Sequence, residues 1–118
     1  MFRITKEFHF SASHQLTSLP LDHQCARLHG HNYIVVVELS GGKLDEHGFV
    51  RDYHDLGALK HYIDKTLDHR HLNDVLGHDH VTAECLAKHL YEWCKRLLPE
   101  TSAVRVSETP KTWAEYRP

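Results

Sequence analysis

From Phe2 to His14 the chain alternates, with Phe8, Phe10, Ala12 and His14 on one face of an extended segment and His9, Ser11 and Ser13 on the other. Side chains of a strand point to opposite sides with a period of two, so this pattern predicts a β-strand with one face on a core and the other toward water. A strand of that kind needs a partner. The next β-prone run, His31 to Leu39, carries Ile34, Val35, Val36 and Val37 and ends at Ser40-Gly41-Gly42, which predicts a second strand. Between the two, Leu16 to Arg27 holds Pro20, Asp22 and scattered polar residues and reads as a loop.

Helical spacing follows. Leu56, Leu59, Ile63 and Leu67 recur at helical intervals behind Asp55, which can cap them, while Lys60, His61, Asp64 and Lys65 would face solvent. A second helix is predicted from Thr82 as N-cap. Val81 and Leu86 form a hydrophobic staple around it, Leu86, Leu90, Trp93 and Leu97 form the apolar stripe, and Pro99 is the stop. Ala103 to Glu108 and Thr112 to Tyr116 read as two short strands around Thr109-Pro110-Lys111. The order is β-β-α-α-β-β, an α+β chain of one domain over residues 1–118. A chain of 118 residues buries only roughly two thirds of its extended surface. It builds one core but no deep pocket, so a site would borrow walls from neighbouring copies, and unpaired sheet edges favour self-assembly.

Charge and composition remove several classes of function. The formal net charge is -2 with no run of basic residues, so no nucleic-acid face is expected. No apolar stretch reaches membrane-spanning length, and Met1 to Lys6 lacks the apolar core of a secretion signal. Three cysteines, an odd number without regular spacing, fit a reducing cytoplasm better than a disulfide framework. Of these, Cys85 and Cys94 read as helix-packing residues.

Thirteen histidines spread along the chain demand a reason. The densest segment is Cys25-Ala26-Arg27-Leu28-His29-Gly30-His31. Residues two apart in a strand share a side, so His29 and His31 can reach one metal, and Gly30 lets backbone or ligand approach closely. If the first two strands pair, His14 is the natural third ligand, and three neutral imidazoles with an open position suit a catalytic zinc that polarises a hydroxyl or carbonyl. A His-x-His pair also arises by chance in so histidine-rich a chain. Cys25 is either a fourth ligand of a closed structural site or a thiolate activated by its surroundings. Asp68 beside His69 could orient an imidazole, given a bent backbone, or be part of a solvated loop. Glu108 could pair with a guanidine-like ligand edge or be an edge-strand charge. His47, His54, His61 and His89 read as surface or helix residues, and His78 and His80 have no assigned role.

Taken together, Phe10-Ser11-Ala12-Ser13-His14, Cys25-x-x-x-His29-Gly30-His31, Val50-Arg51-Asp52-Tyr53, Leu67-Asp68-His69-Arg70-His71-Leu72-Asn73, Thr82-Ala83-Glu84 and Glu108-Thr109-Pro110 resemble the 6-pyruvoyltetrahydropterin synthase superfamily. The similarity is strongest to its 6-carboxytetrahydropterin synthases of queuosine biosynthesis and covers nearly the whole chain. The resemblance implies the tunnelling fold (T-fold), a four-stranded antiparallel sheet with two helices on one face. It also implies subunits joined into a barrel, as a trimer or dimer of trimers, with active sites at subunit interfaces. By the same resemblance His14, His29 and His31 would hold zinc, Cys25 would be the catalytic thiolate, Asp68 and His69 would complete an acid–base relay, and Glu108 would anchor the pterin.

The implied enzyme is a lyase acting on 7,8-dihydroneopterin triphosphate, releasing acetaldehyde and triphosphate in the carboxy branch and triphosphate alone in the pyruvoyl branch. A third branch, with glutamate where this chain has Cys25, is disfavoured. Gln15 departs from the basic residue often found after the first zinc histidine, so the cations that meet the triphosphate are not identified. The rival of another class is a non-catalytic zinc-binding module with Cys25 as a structural ligand, which would unfold on metal removal.

Overall fold

The structure is a computed structural model covering residues 1–118. Four strands, β1 (Phe2–His14), β2 (His29–Gly41), β3 (Thr101–Ser107) and β4 (Ala114–Tyr116), form one sheet in the order β1-β2-β3-β4 with every neighbour antiparallel. The alternation read from the sequence holds: Phe8, Phe10, Ala12 and His14 are buried, whereas Arg3, Thr5, Glu7 and His9 are exposed. β2 begins two residues earlier than its apolar run, at His29, and β4 two residues later, at Ala114.

The helices cover one face of this sheet. Phe8, Phe10, Tyr33, Val35, Val37, Val104 and Val106 pack with Leu59, Ile63, Leu86 and Leu90 in one core. Burial of such side chains contributes about 1.5–3 kcal/mol each before entropy is counted. The first helical region is not a single cylinder: a 3-10 turn Tyr53–Leu56 leads into α1 (Gly57–Tyr62) and then a π-helical turn Ile63–Leu67. Its cap is Asp52, which accepts the His54 N–H at 2.9 Å. Asp55, the expected cap, is instead taken by Arg51 Nε at 2.8 Å. A short helix α2 (Leu72–Leu76), not anticipated, closes at Gly77, whose φ of +74° is open to glycine without strain.

The long helix α3 (Ala83–Leu97) is capped by Thr82 Oγ1, which accepts the Cys85 N–H at 3.1 Å. Its buried stripe is Leu86, Ala87, Leu90 and Cys94. Two expectations are corrected: Leu97, expected in the stripe, is 52% exposed, and Cys85, expected to pack, is exposed. The stripe follows i+4 steps to Cys94 and Leu98, which leaves Leu97 on the solvent side of the last turn. Trp93 is half-buried, stacked on Tyr62 with 4.8 Å between ring centroids. Cys94 is fully enclosed, and burial pushes its thiol up to about 12. No helix is long and apolar enough to cross a membrane.

Candidate metal centre

The pairing register of β1 and β2 makes the site. His14 lies directly opposite His29, and Ala12 opposite His31, so one cross-strand pair and one diagonal neighbour gather three imidazoles on the helix-covered face. Gly30 sits between them because a Cβ there would meet the Ala12 carbonyl at 3.2 Å. One ligand atom from each of His14, His29 and His31 falls within 4.8 Å of the others, with ring centroids 4.5 to 5.0 Å apart.

Backbone carbonyls fix two of the tautomers. His14 donates Nδ1–H to the Val81 carbonyl at 2.6 Å, and His29 donates Nδ1–H to the Arg27 carbonyl at 2.6 Å. Both Nε2 atoms are then bare lone pairs, and they face each other at 2.9 Å. Two acceptors at that distance repel unless a cation lies between them. The third nitrogen, His31 Nε2, is buried without a hydrogen-bond partner. A carbonyl on Nδ1 and a free Nε2 is the usual outer support of a metal-binding histidine. Burial lowers the affinity of His14 and of His31 for protons below the ordinary imidazole range, so both stay neutral ligands at pH 7. The residues present therefore fit a metal with an open position, and the donor set of three imidazoles fits zinc.

Glu108 follows the end of β3, where Ser107 Oγ donates to the Thr109 carbonyl and shapes the turn. Its carboxylate lies 3.5 Å from His31 Nε2, which places the expected pterin anchor beside the centre. The remaining expected residues are arranged differently. Cys25 occupies a half-buried 3-10 turn, Gln24–Ala26, whose cap is the His23 ring accepting the Cys25 N–H at 3.0 Å, and its thiol is not part of the histidine cluster.

Asp68 and His69 flank the outer edge of β1. Asp68 Oδ1 accepts the Ser11 N–H at 3.0 Å and lies 3.0 Å from His69 Nδ1, and the Ser11 hydrogen bond holds the Asp68 carboxyl below its usual range. The bend that adjacent partners require is present: His69 has φ of +58° and donates its N–H to the Ser11 carbonyl. His69 borders a hollow of about 480 Å³ whose lining includes Ser11, Ser13, Gly30, Asn32 and the cluster histidine His31. Within one chain the Asp68–His69 pair is thus held at the open edge of β1, outside the three-histidine cluster.

Sequence reading missed two polar groups near the centre. His71 Nδ1 lies 2.9 Å from Ser13 Oγ and ties the loop to β1; a histidine two residues past His69 gave no spacing signal. Tyr33, stacked on Phe10 at 5.0 Å, lies 5.5 Å from the His31 ring, and its hydroxyl is buried without a partner. By period alone Tyr33 reads as core.

This sheet, with its helices on one face and an imidazole cluster where β1 and β2 pair, defines the class. The chain belongs to the 6-pyruvoyl tetrahydropterin synthase family, whose model matches residues 3–118. It is 33% identical over 126 residues to the 6-carboxy-5,6,7,8-tetrahydropterin synthase of Bacillus subtilis, covering 99% of this chain and 86% of that protein. It is 35% identical over 122 residues to the synthase of the same name from Synechocystis, covering 98% and 93%. Among solved structures, the 6-pyruvoyl tetrahydropterin synthase of Caenorhabditis elegans superposes with a TM-score of 0.86 at 27% identity, covering 99% of this chain and 95% of that one.

Proposed function

We propose that this protein is a zinc-dependent 6-carboxy-5,6,7,8-tetrahydropterin synthase, a lyase that converts 7,8-dihydroneopterin triphosphate and one water to 6-carboxytetrahydropterin, acetaldehyde and triphosphate on the route to queuosine. The observation that carries the reading is the centre itself: two lone pairs held face to face by backbone carbonyls and a third, buried nitrogen with no partner. The relatives that are 33–35% identical bear the carboxy-synthase name, which supports that branch.

His14, His29 and His31 would hold the metal, which when bound supplies a fixed positive charge that acidifies hydroxyl and neighbouring C–H protons of the substrate side chain. Around it the chain's own groups divide the work. Glu108 accepts the N–H donors of the pterin edge as a charge-assisted pair and fixes the ring. Cys25 takes and returns a proton at the side-chain carbon, and His69, oriented by Asp68, exchanges one at a hydroxyl oxygen. His69 is held at the open edge of β1 and outside the histidine cluster of its own chain; it serves the centre of an adjoining copy, and the working form is a homo-oligomer with sites between subunits. The three free thiols, Cys25, Cys85 and Cys94, accord with the reducing cytoplasm.

A second reading, 6-pyruvoyltetrahydropterin synthase, is favoured by the Caenorhabditis elegans likeness and uses the same residues to expel triphosphate alone. Incubating zinc-loaded protein with 7,8-dihydroneopterin triphosphate, trapping acetaldehyde and weighing the products by mass spectrometry separates them. Carboxytetrahydropterin with acetaldehyde is expected. A pyruvoyl product moves the protein to the second reading, and full metal occupancy without turnover makes it a binding module.

A further inference from the structure

Only two buried side-chain polar atoms in the whole chain lack a hydrogen-bond partner, His31 Nε2 and Tyr33 Oη, and both lie at the same place. Each is two residues from the other on the core side of β2, their rings 5.5 Å apart. A buried hydroxyl left unpaired is destabilising, by about 1–3 kcal/mol, so a phenol held this way calls for an acceptor. Around Tyr33 the neighbouring rings are Phe10, His14 and His31, none of them engaging its hydroxyl. In the β2–β3 register Ile34 lies opposite Ser107 and Val35 opposite Val106, so the next step sets Glu108 opposite Tyr33 on the core side.

Glu108 has a conflict of its own. Its Oε2 lies 3.5 Å from His31 Nε2, an approach that suits an N–H on that nitrogen, the Nε2–H tautomer of a neutral ring. Once that nitrogen commits its lone pair to a cation it carries no proton, and carboxylate oxygen and ring nitrogen no longer attract each other. The carboxylate then needs another donor, and the unpaired phenol beside it is the one the fold supplies.

We propose that Tyr33 is a positioning residue for Glu108: its hydroxyl donates to the carboxylate when His31 is engaged by metal, and so presents the remaining oxygen to the ligand's N–H edge. This rests on the pterin-synthase reading of the site. Tyr33 touches neither metal nor reacting atoms in this scheme; it acts through Glu108, and a chain with phenylalanine in its place keeps the core but loses the aim of the anchor.

The test is a double-mutant cycle on the zinc-loaded protein, with Tyr33→Phe, Glu108→Ala and the double variant, titrated with biopterin, an oxidised pterin that lacks the triphosphate. Bound zinc and thermal unfolding are measured on each. Tyr33→Phe is expected to keep stoichiometric zinc and an unchanged or raised Tm, since it deletes an unpaired hydroxyl. It should weaken biopterin roughly tenfold, the scale of a hydrogen bond to a charged group. In the Glu108→Ala background the same change should cost less than about twofold, because the group Tyr33 acts on is gone. Equal losses in the two backgrounds, or no loss while Glu108 is intact, overturn the proposal. Failure of the unaltered protein to bind biopterin would instead overturn the pterin reading itself, and the role of Tyr33 with it.

Discussion

His14 and His29 stand opposite each other across β1 and β2 with their Nε2 atoms 2.9 Å apart, each ring turned by a hydrogen bond from its Nδ1 to a backbone carbonyl. As neutral rings neither nitrogen can relieve the other, because the one ring proton of each is spent on the carbonyl. A metal-free chain therefore carries a local repulsion that a cation removes. Replacing His29 by Ala is expected to abolish stoichiometric zinc, measured by elemental analysis, and to remove the rise in Tm that added zinc gives the unaltered protein.

Cys25 and His69 both lie outside the imidazole cluster. Cys25→Ala and His69→Ala should each keep bound zinc and the unfolding temperature while lowering kcat by about 10²–10⁴-fold, the range of a positioned proton-transfer group. Loss of zinc in Cys25→Ala would move the thiol into the ligand set and remove it from the proton relay.

If the relay pair serves an adjoining copy, inactive variants should complement each other. Mixed oligomers of His29→Ala and His69→Ala, formed by co-expression, are expected to regain part of the activity that each lacks alone. Mixed oligomers as inactive as their parents would place the relay and the centre in the same chain.

At the opposite end of the sheet Arg117 grips Glu38 with two hydrogen bonds of 2.7 and 2.9 Å, and Ser102 Oγ adds a third at 2.7 Å. The Arg117 bonds are the largest cause holding the Glu38 carboxyl down at about 2, against an ordinary 4.5. A carboxyl depressed on folding contributes stability that is complete above its unfolded value and lost as pH falls through its folded one. Arg117→Ala should therefore lower stability at pH 7. The gap between variant and unaltered protein should narrow as pH drops from 4.5 toward 2. A gap constant over that window would assign the effect to packing.

Much of this architecture is legible in the residues because its signals are local. The period of two along Phe2–His14 and the β-branched run of β2 are intrinsic to each strand, and Thr82 and Pro99 bracket α3 by backbone chemistry. Two similar carboxylates near one helix start were not separable, since the choice of Asp52 over Asp55 turns on Arg51 taking the latter. Leu97 misses the buried stripe by one residue, because spacing alone admits steps of three or four and the packed face follows steps of four to Cys94 and Leu98. In the centre, the spacing of His29 and His31 is a property of β2, but its meeting with His14 depends on register. The hydroxyl of Tyr33 has significance only through the partners it lacks. The position of His69 at the β1 edge follows from a loop crossing there, which no periodicity encodes.

The most direct test of the account is X-ray absorption at the zinc edge of the loaded protein, which counts nitrogen and sulfur scatterers around the metal. Three histidine nitrogens, further light atoms and no sulfur are predicted, the signature of an open centre built by His14, His29 and His31. A sulfur scatterer, placing Cys25 on the metal, would contradict it and make the centre a closed structural site.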